Sequence, residues 1–187
     1  MSYMMKKSSS GRYQRLHGPD TDVSGFILEQ MLRTLLKRAK LDRKHDIPYL
    51  AGYSRDGKII YIDRELPCYF VARRQRIYTD RFLILHETVE KALIDQLGLK
   101  YQYAHQIALR TEEAAVRTYG IRWREYDGFM QQYIKEAADE KLTRLPVDLD
   151  IKPYRDEHDW ALLHRMQRAI KREQVQAHRK HKLKTRK

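Results

Sequence analysis

The stretch RFLILHETVEKAL, residues 81–93, constrains this chain more than any other. Its apolar residues recur at helical spacing, and Phe82, Leu83, Val89, Leu93 and Leu97 share one face. His86 and Glu90 fall on that same apolar face, one turn apart. The pattern predicts a helix capped by Thr79 or Asp80 that runs to about Leu97 and stops at Gly98. After the short link LKYQ, a second helix is expected over 103–119, ended by Gly120. Tyr101, Ala108, Leu109 and Val116 mark its apolar face, and His105 and Glu112 lie on it two turns apart. Two helices joined by so short a link pack as antiparallel neighbours. Four ligand-type groups then meet between them. Unpaired buried charge is costly, so these groups must either satisfy one another or hold an ion.

Both outcomes follow from the same residues. Two imidazoles and a carboxylate with an open fourth position form the ligand set of a catalytic zinc site. His86, Glu90 and His105 supply that set, with Glu112 either a fourth ligand or the group that orients an imidazole. In zinc-dependent hydrolases the glutamate directly after the first histidine ligand takes the proton from metal-activated water, which assigns Glu87 as general base. The metal-free alternative pairs His86 with Glu112 and His105 with Glu90, and leaves Glu87 a solvated helix residue. Tyr101 and Tyr103 are either oxyanion donors or packing residues. Glu113 and Asp95 are expected at the surface. A di-iron carboxylate bundle would need the order Glu-x-x-His, whereas this chain has His-x-x-x-Glu.

RFLILHETVEKAL resembles the active-site helix of zincin metallopeptidases, most closely the ImmA/IrrE-type group, in which an Arg-Phe pair shortly precedes His-Glu-x-x-His. The resemblance implies a strand just before the helix and a downstream helix giving the last ligand. GKIIYIDRELP and YAHQIALRTEEAAV stand in those places. DGKIIYIDRELP, HETVEKAL, YAHQIA and IKPY together also resemble segments of proteins from bacteria and their phages. The likeness covers about residues 50–120 and departs from the motif at Glu90, where the family has its second histidine. A carboxylate there makes the site harder, which brings manganese or iron beside zinc. What the resemblance implies is a zincin-like peptidase acting on a peptide or protein substrate.

The rest of the chain frames this core. Residues 1–20 read as a flexible basic tail. A helix is expected from Ser24, with Phe26, Ile27, Met31, Leu32, Leu35, Leu36 and Ala39 on one side. Arg55–Pro67 reads as a tight Asp-Gly turn and a strand over 58–63, and a second strand is expected near 69–72. A third helix should span 122–142, with Trp123, Tyr126, Met130, Tyr133 and Ala137 on one face. RLPVDLDIKPY is read as an extended surface arm, followed by a long helix over 156–182. The division is therefore a tail (1–20), a zincin-like domain (21–150), and an arm with a basic C-terminal helix or tail (151–187). The fold expected is α+β, mostly helical, with a small antiparallel sheet or hairpin beside the HExxE helix.

The net charge of +13 points to an anionic partner. Lys171–Lys187 holds eight Lys or Arg against one Glu, and is expected to be disordered or to fold only on nucleic acid or another polyanion. No helix-turn-helix, RNP or zinc-finger signature accompanies it, and tyrosines are not interleaved with it, so no stacking platform is expected there. Hence the second functional reading is a non-catalytic bacterial or phage component whose basic C-terminus contacts nucleic acid or an acidic partner. Cys68 is the only cysteine, which excludes an intramolecular disulfide and a Cys-based zinc site, and it is expected in the core. No apolar run reaches membrane-span length, and no signal-peptide pattern opens the chain, so a cytoplasmic protein or a phage-particle component is expected.

Overall fold

The structure, a computed structural model, describes residues 6–7, 13–14, 37–38, 40–139 and 141–184. The helix expected from Ser24, apart from residues 37–38, which are helical, and nearly all of the N-terminal tail lie outside the described residues. The fold is α+β and mostly helical, as expected.

Strand β1 (Lys6–Lys7) pairs antiparallel with β2 (Tyr13–Gln14). The sheet that matters for the site holds β3 (Lys40–Asp42), β4 (Ala51–Tyr53) and β5 (Ile59–Ile62) in the order β3-β5-β4. The Asp-Gly turn is present, and it joins β4 to β5 in an antiparallel hairpin. Gly57 adopts φ +69°, a conformation that favours glycine, and the Asp56 carboxylate accepts from Ser54 Oγ and from the Lys58 N–H. β4 was not expected. Three residues after a proline carry too little periodicity to announce a strand. The sheet is also not purely antiparallel, since β3 runs parallel to β5.

β5 reads IIYI because both its faces are covered. Ile60 and Ile62 pack in one cluster with Tyr53, Phe82 and Leu85, while Tyr61 packs in a second with Ile47, Leu149 and Met166. The helices on the first side are α1 (Asp80–Leu97), α2 (Tyr101–Thr118) and α3 (Trp123–Asp139). On the second side are the short α4 (Lys152–Asp156) and the long α5 (Trp160–Lys184). The glycine stops are present: Gly98 caps α1 with φ +64°, and Gly120, one residue past the Tyr119 cap of α2, adopts φ +72°. Thr79 occupies the N-cap of α1 but makes no capping bond, its hydroxyl turning back to the Pro67 carbonyl at 3.3 Å.

The expected strand at 69–72 is β6 (Tyr69–Ala72), and its partner is an unexpected β7 (Gln75–Tyr78). The hairpin lays Phe70 against α3, with its ring 5.1 Å from that of Phe129. Cys68 is exposed rather than in the core, its sulfur 3.2 Å from Arg43 Nη1.

RLPVDLDIKPY is not a surface arm. Leu145 and Leu149 are buried, each contributing on the order of 1.5–3 kcal/mol. The Asp46 carboxylate accepts from Thr143 Oγ1 and the Arg144 N–H, and Ser54 forms a bridge with Leu149. The boundary drawn at 150/151 therefore marks no break in packing, because Tyr154, Leu162 and Met166 share a cluster with Ile47 and Tyr61. Residues 171–184, expected to be disordered alone, continue α5 as helix. No helix among the described residues is long and apolar enough to cross a membrane.

Candidate metal centre

On α1 the buried stripe runs Leu83, His86, Glu87, Glu90 and Ile94, a spacing that follows one helix face. Glu87 belongs to this stripe and is 8 % exposed, so the reading of it as a solvated residue is overturned. On α2 the inward face carries Tyr101, Ala104, Ala108, Glu112 and Ala115, with His105 half-buried at its margin. Ala104, Ala108 and Ala115 are fully covered. Such small side chains let the helix backbones approach closely enough for the two imidazoles to touch.

The convergence drawn from the sequence is present. His86 Nε2 lies 3.2 Å from His105 Nδ1, and His105 Nδ1 lies 3.0 Å from Glu90 Oε2. His86 Nε2 and Glu90 Oε2 are 3.5 Å apart. Ligand atoms held 2.0–2.1 Å from a tetrahedral zinc lie about 3.3 Å from one another. Three atoms already at those separations can therefore surround one ion with little movement. Among the described residues, His86, Glu90 and His105 are the group whose atoms could hold a metal ion.

Glu112 stands apart from that trio. Its Oε2 accepts from His86 Nδ1 at 2.8 Å, on the side of the ring away from Nε2, and its Oε1 accepts from the Tyr126 hydroxyl. Of the two roles open to it, the geometry gives it the orienting one. With Nδ1 donating to a carboxylate, His86 presents an unprotonated Nε2 when neutral. Glu90 is steadied in the same way, since the Tyr53 hydroxyl donates to Oε1 at 3.1 Å and leaves Oε2 for the histidines. The Tyr101 ring stacks on His105, and its hydroxyl comes within 3.4 Å of Nδ1. Tyr103, weighed with Tyr101, is 65 % exposed on the opposite side of α2 and takes no part.

Electrostatics follow from this crowding. Burial would discharge His86, but Glu112 and Glu90 outweigh it and hold the imidazole well above its ordinary pKa. Burial opposes charge on Glu90 too, yet His105 and His86 keep its pKa below the usual value. Glu87 has no hydrogen-bond partner among the described residues. Desolvation, reinforced by Glu90, pushes its pKa up to about 8. Farther along α1, Lys91 reaches Asp150 at 2.8 Å and Asp95 at 3.1 Å, with its ammonium 5.0 Å from the centre of the Tyr53 ring. Although burial opposes it, these carboxylates hold Lys91 above its ordinary range.

A pocket of about 200 Å³ opens onto this cluster. Ala51–Tyr53 of β4 form one wall, Pro153 and Tyr154 another, and Trp123 and Met130 a third. β4 is an edge strand of its sheet, and the edge away from β5 is taken at Tyr53, whose carbonyl accepts from Asp150 N. Leu50 O accepts from Asp63 N and Ser54 N donates to Ile59 O, so the alternation of the ladder points the Ala51 backbone groups away from β5. At the rim, Tyr49 and Leu50 adopt φ +61° and +75°, unusual for residues with side chains.

Sequence reasoning missed Tyr53, Tyr126 and the Lys91–Asp150 pair. Tyr126 carried a signal, since it falls on the apolar face of α3 and a buried tyrosine hydroxyl needs a partner. Tyr53 and Asp150 carried none, because each is brought to the site by an element without periodicity. Of the remaining histidines, His45 pairs with Asp42 at 2.9 Å, His158, His164 and His178 are exposed, and His17 and the His181 side chain lie outside the described residues. Comparison of the chain with protein-family descriptions, with curated proteins and with solved structures gives no match to any of them.

Proposed function

We propose that the chain is a metal-dependent hydrolase of the zincin-like peptidase type. His86, Glu90 and His105 would hold one ion, zinc first and manganese or iron as the harder alternatives. The observation that carries the reading is the triangle of ligand atoms 3.0–3.5 Å on a side, with a buried carboxyl next to it that has no hydrogen-bond partner among the described residues. When bound, the ion supplies Lewis acidity toward water and a carbonyl.

The chain's own groups do the rest. Glu87 accepts a proton from the attacking water and returns it to the leaving amine; burial raises its pKa in the metal-free chain, and a cation held beside it would favour the carboxylate that the first transfer needs. Tyr101 donates a hydrogen bond to the oxygen that gains charge. Glu112 and Tyr126 fix the ring of His86, and Tyr53 fixes Glu90. On the edge of β4 away from β5, the Ala51 N–H and C=O offer one backbone donor and one acceptor to an extended peptide lying along the pocket. A metal-free network satisfies Glu90 and Glu112 equally well, but it leaves the burial of Glu87 without a purpose.

Elemental analysis of the purified full chain beside His86→Ala tests the reading. Close to one ion per wild-type chain, lost in the variant, is expected. Peptide hydrolysis should vanish in Glu87→Gln while the ion stays. Wild-type protein that binds no added zinc, manganese or iron would rule the proposal out.

A further inference from the structure

The β6–β7 hairpin carries a surface that the metal centre does not use. Its inner face, Phe70, Ala72 and Ile77, packs on the core. Its outer face presents Tyr69, Val71, Arg76 and Tyr78, and the register sets Tyr69 opposite Tyr78 and Val71 opposite Arg76. Tyr69 is 36 % exposed, Tyr78 50 % and Val71 67 %. The two tyrosine rings are 6.0 Å apart, and the Arg76 guanidinium lies 4.9 Å from the centre of the Tyr69 ring. Residues 68–79 contain three arginines and no acidic residue. The flanking acids are already engaged, Glu65 with Arg64 at 3.3 Å and Asp80 with Arg43 at 3.2 Å.

The tip sharpens the case. Arg73 and Arg74 adopt φ +49° and +65°. Positive φ at both turn residues is the requirement of a type I′ turn, which Asn-Gly meets without strain. Two arginines hold the apex instead, which adds two exposed cations to the same hairpin as the tyrosines at the cost of the easier turn.

We propose that the outer face of this hairpin docks single-stranded nucleic acid, with Arg73, Arg74 and Arg76 on phosphates and Tyr69 and Tyr78 stacking on bases. Unstacked bases have a use for exposed rings, and a chain of phosphates has a use for three cations that have no acidic partner among the described residues. Strand pairing creates the platform by joining tyrosines nine positions apart. A duplex offers the phosphates but keeps its bases stacked away, and an acidic peptide offers charge without flat rings, so both should bind less well.

Fluorescence anisotropy on the full chain decides this, with a labelled mixed-sequence DNA single strand of about 15 nucleotides, its duplex, and polyglutamate as competitor. Arg73→Asn/Arg74→Gly should melt no lower than wild type. It should bind the single strand roughly tenfold or more weakly, with a salt dependence shallower by about 1.4, the share of two phosphate contacts. Tyr69→Thr/Tyr78→Thr keeps residues that favour strands and should weaken single-strand binding roughly tenfold with the salt dependence unchanged. Wild-type affinity in both variants overturns the proposal. So does a result in which the tyrosine variant binds normally and polyglutamate competes as well as DNA, which would make the hairpin an acidic-protein contact.

Discussion

Helices α1 and α5 both carry many ionisable side chains and handle them in opposite ways. On α1, His86, Glu87, Glu90 and Lys91 are all buried, because the sheet, α2 and the segment around Asp150 close over them. On α5, Leu162, Leu163, Met166 and Ala169 pack against the back of the sheet, and beyond Ile170 nearly every described side chain is exposed. A cation in water costs almost nothing to keep and needs no partner to explain it. A carboxyl or imidazole withdrawn from water costs several kcal/mol unless something repays it. Charge on α1 is therefore informative about purpose, residue by residue, whereas charge on α5 reports only a field that any polyanion would feel.

The contrast can be broken most sharply by removing an ion. If α1 and α2 hold zinc, chelation costs about 4 kcal/mol at zinc levels a thousandfold above the dissociation constant, roughly 10 °C in melting temperature for a chain this size. Differential scanning fluorimetry with and without chelator measures it, and His105→Ala should show no response. Glu112→Gln should weaken zinc 10–100-fold in a competition titration while leaving one ion per chain at saturation, the expected effect of losing an orienting partner. A smaller effect lies in pH. Glu87 binds its proton up to about pH 8 in the folded metal-free chain, against an ordinary value of 4.5, so folding takes up a proton between those limits and stability falls as pH rises through them. The raised imidazole of His86 acts with the same sign, its contribution being present at low pH and lost as pH rises through its folded value. Glu87→Gln should flatten the metal-free profile and gain on the order of 1–2 kcal/mol at pH 8, read by chemical denaturation. Smallest of all, Lys171→Ala and Arg179→Ala on α5 should each change stability by less than about 0.5 kcal/mol. A larger loss there would erase the distinction between the helices.

The same contrast explains what could be read from the chain. Two helices were legible because glycine stops and apolar periodicity agree at 98 and 120, and the inward turn of His86, Glu90, His105 and Glu112 followed from spacing alone. The burial of Glu87 was not legible, because β4 and Tyr154, which line the pocket with it, belong to elements that no local pattern announces. The 141–151 segment was misread for the same reason: its leucines are spaced without a period and find cover only when α5 folds back over them. Cys68 fails in the other direction, since residue type suggested a core position while the hairpin leaves it outside. The second arginine-rich surface was missed because interleaving was sought along the sequence, whereas β6 and β7 interleave by pairing.

One wall of the pocket comes from Asp150, Pro153 and Tyr154, and the Tyr49 hydroxyl at its rim donates to Asp159 at 2.8 Å while its ring stacks on Tyr154. Every proposed ligand is nonetheless in place by residue 105. During synthesis, a ribosome would release the proposed ligands well before the residues that line this wall of the pocket emerge. If the chain is the metal-dependent hydrolase proposed above, it could load its ion early yet lack a finished pocket until the last helix docks, so that assembly order itself would serve as a safety catch.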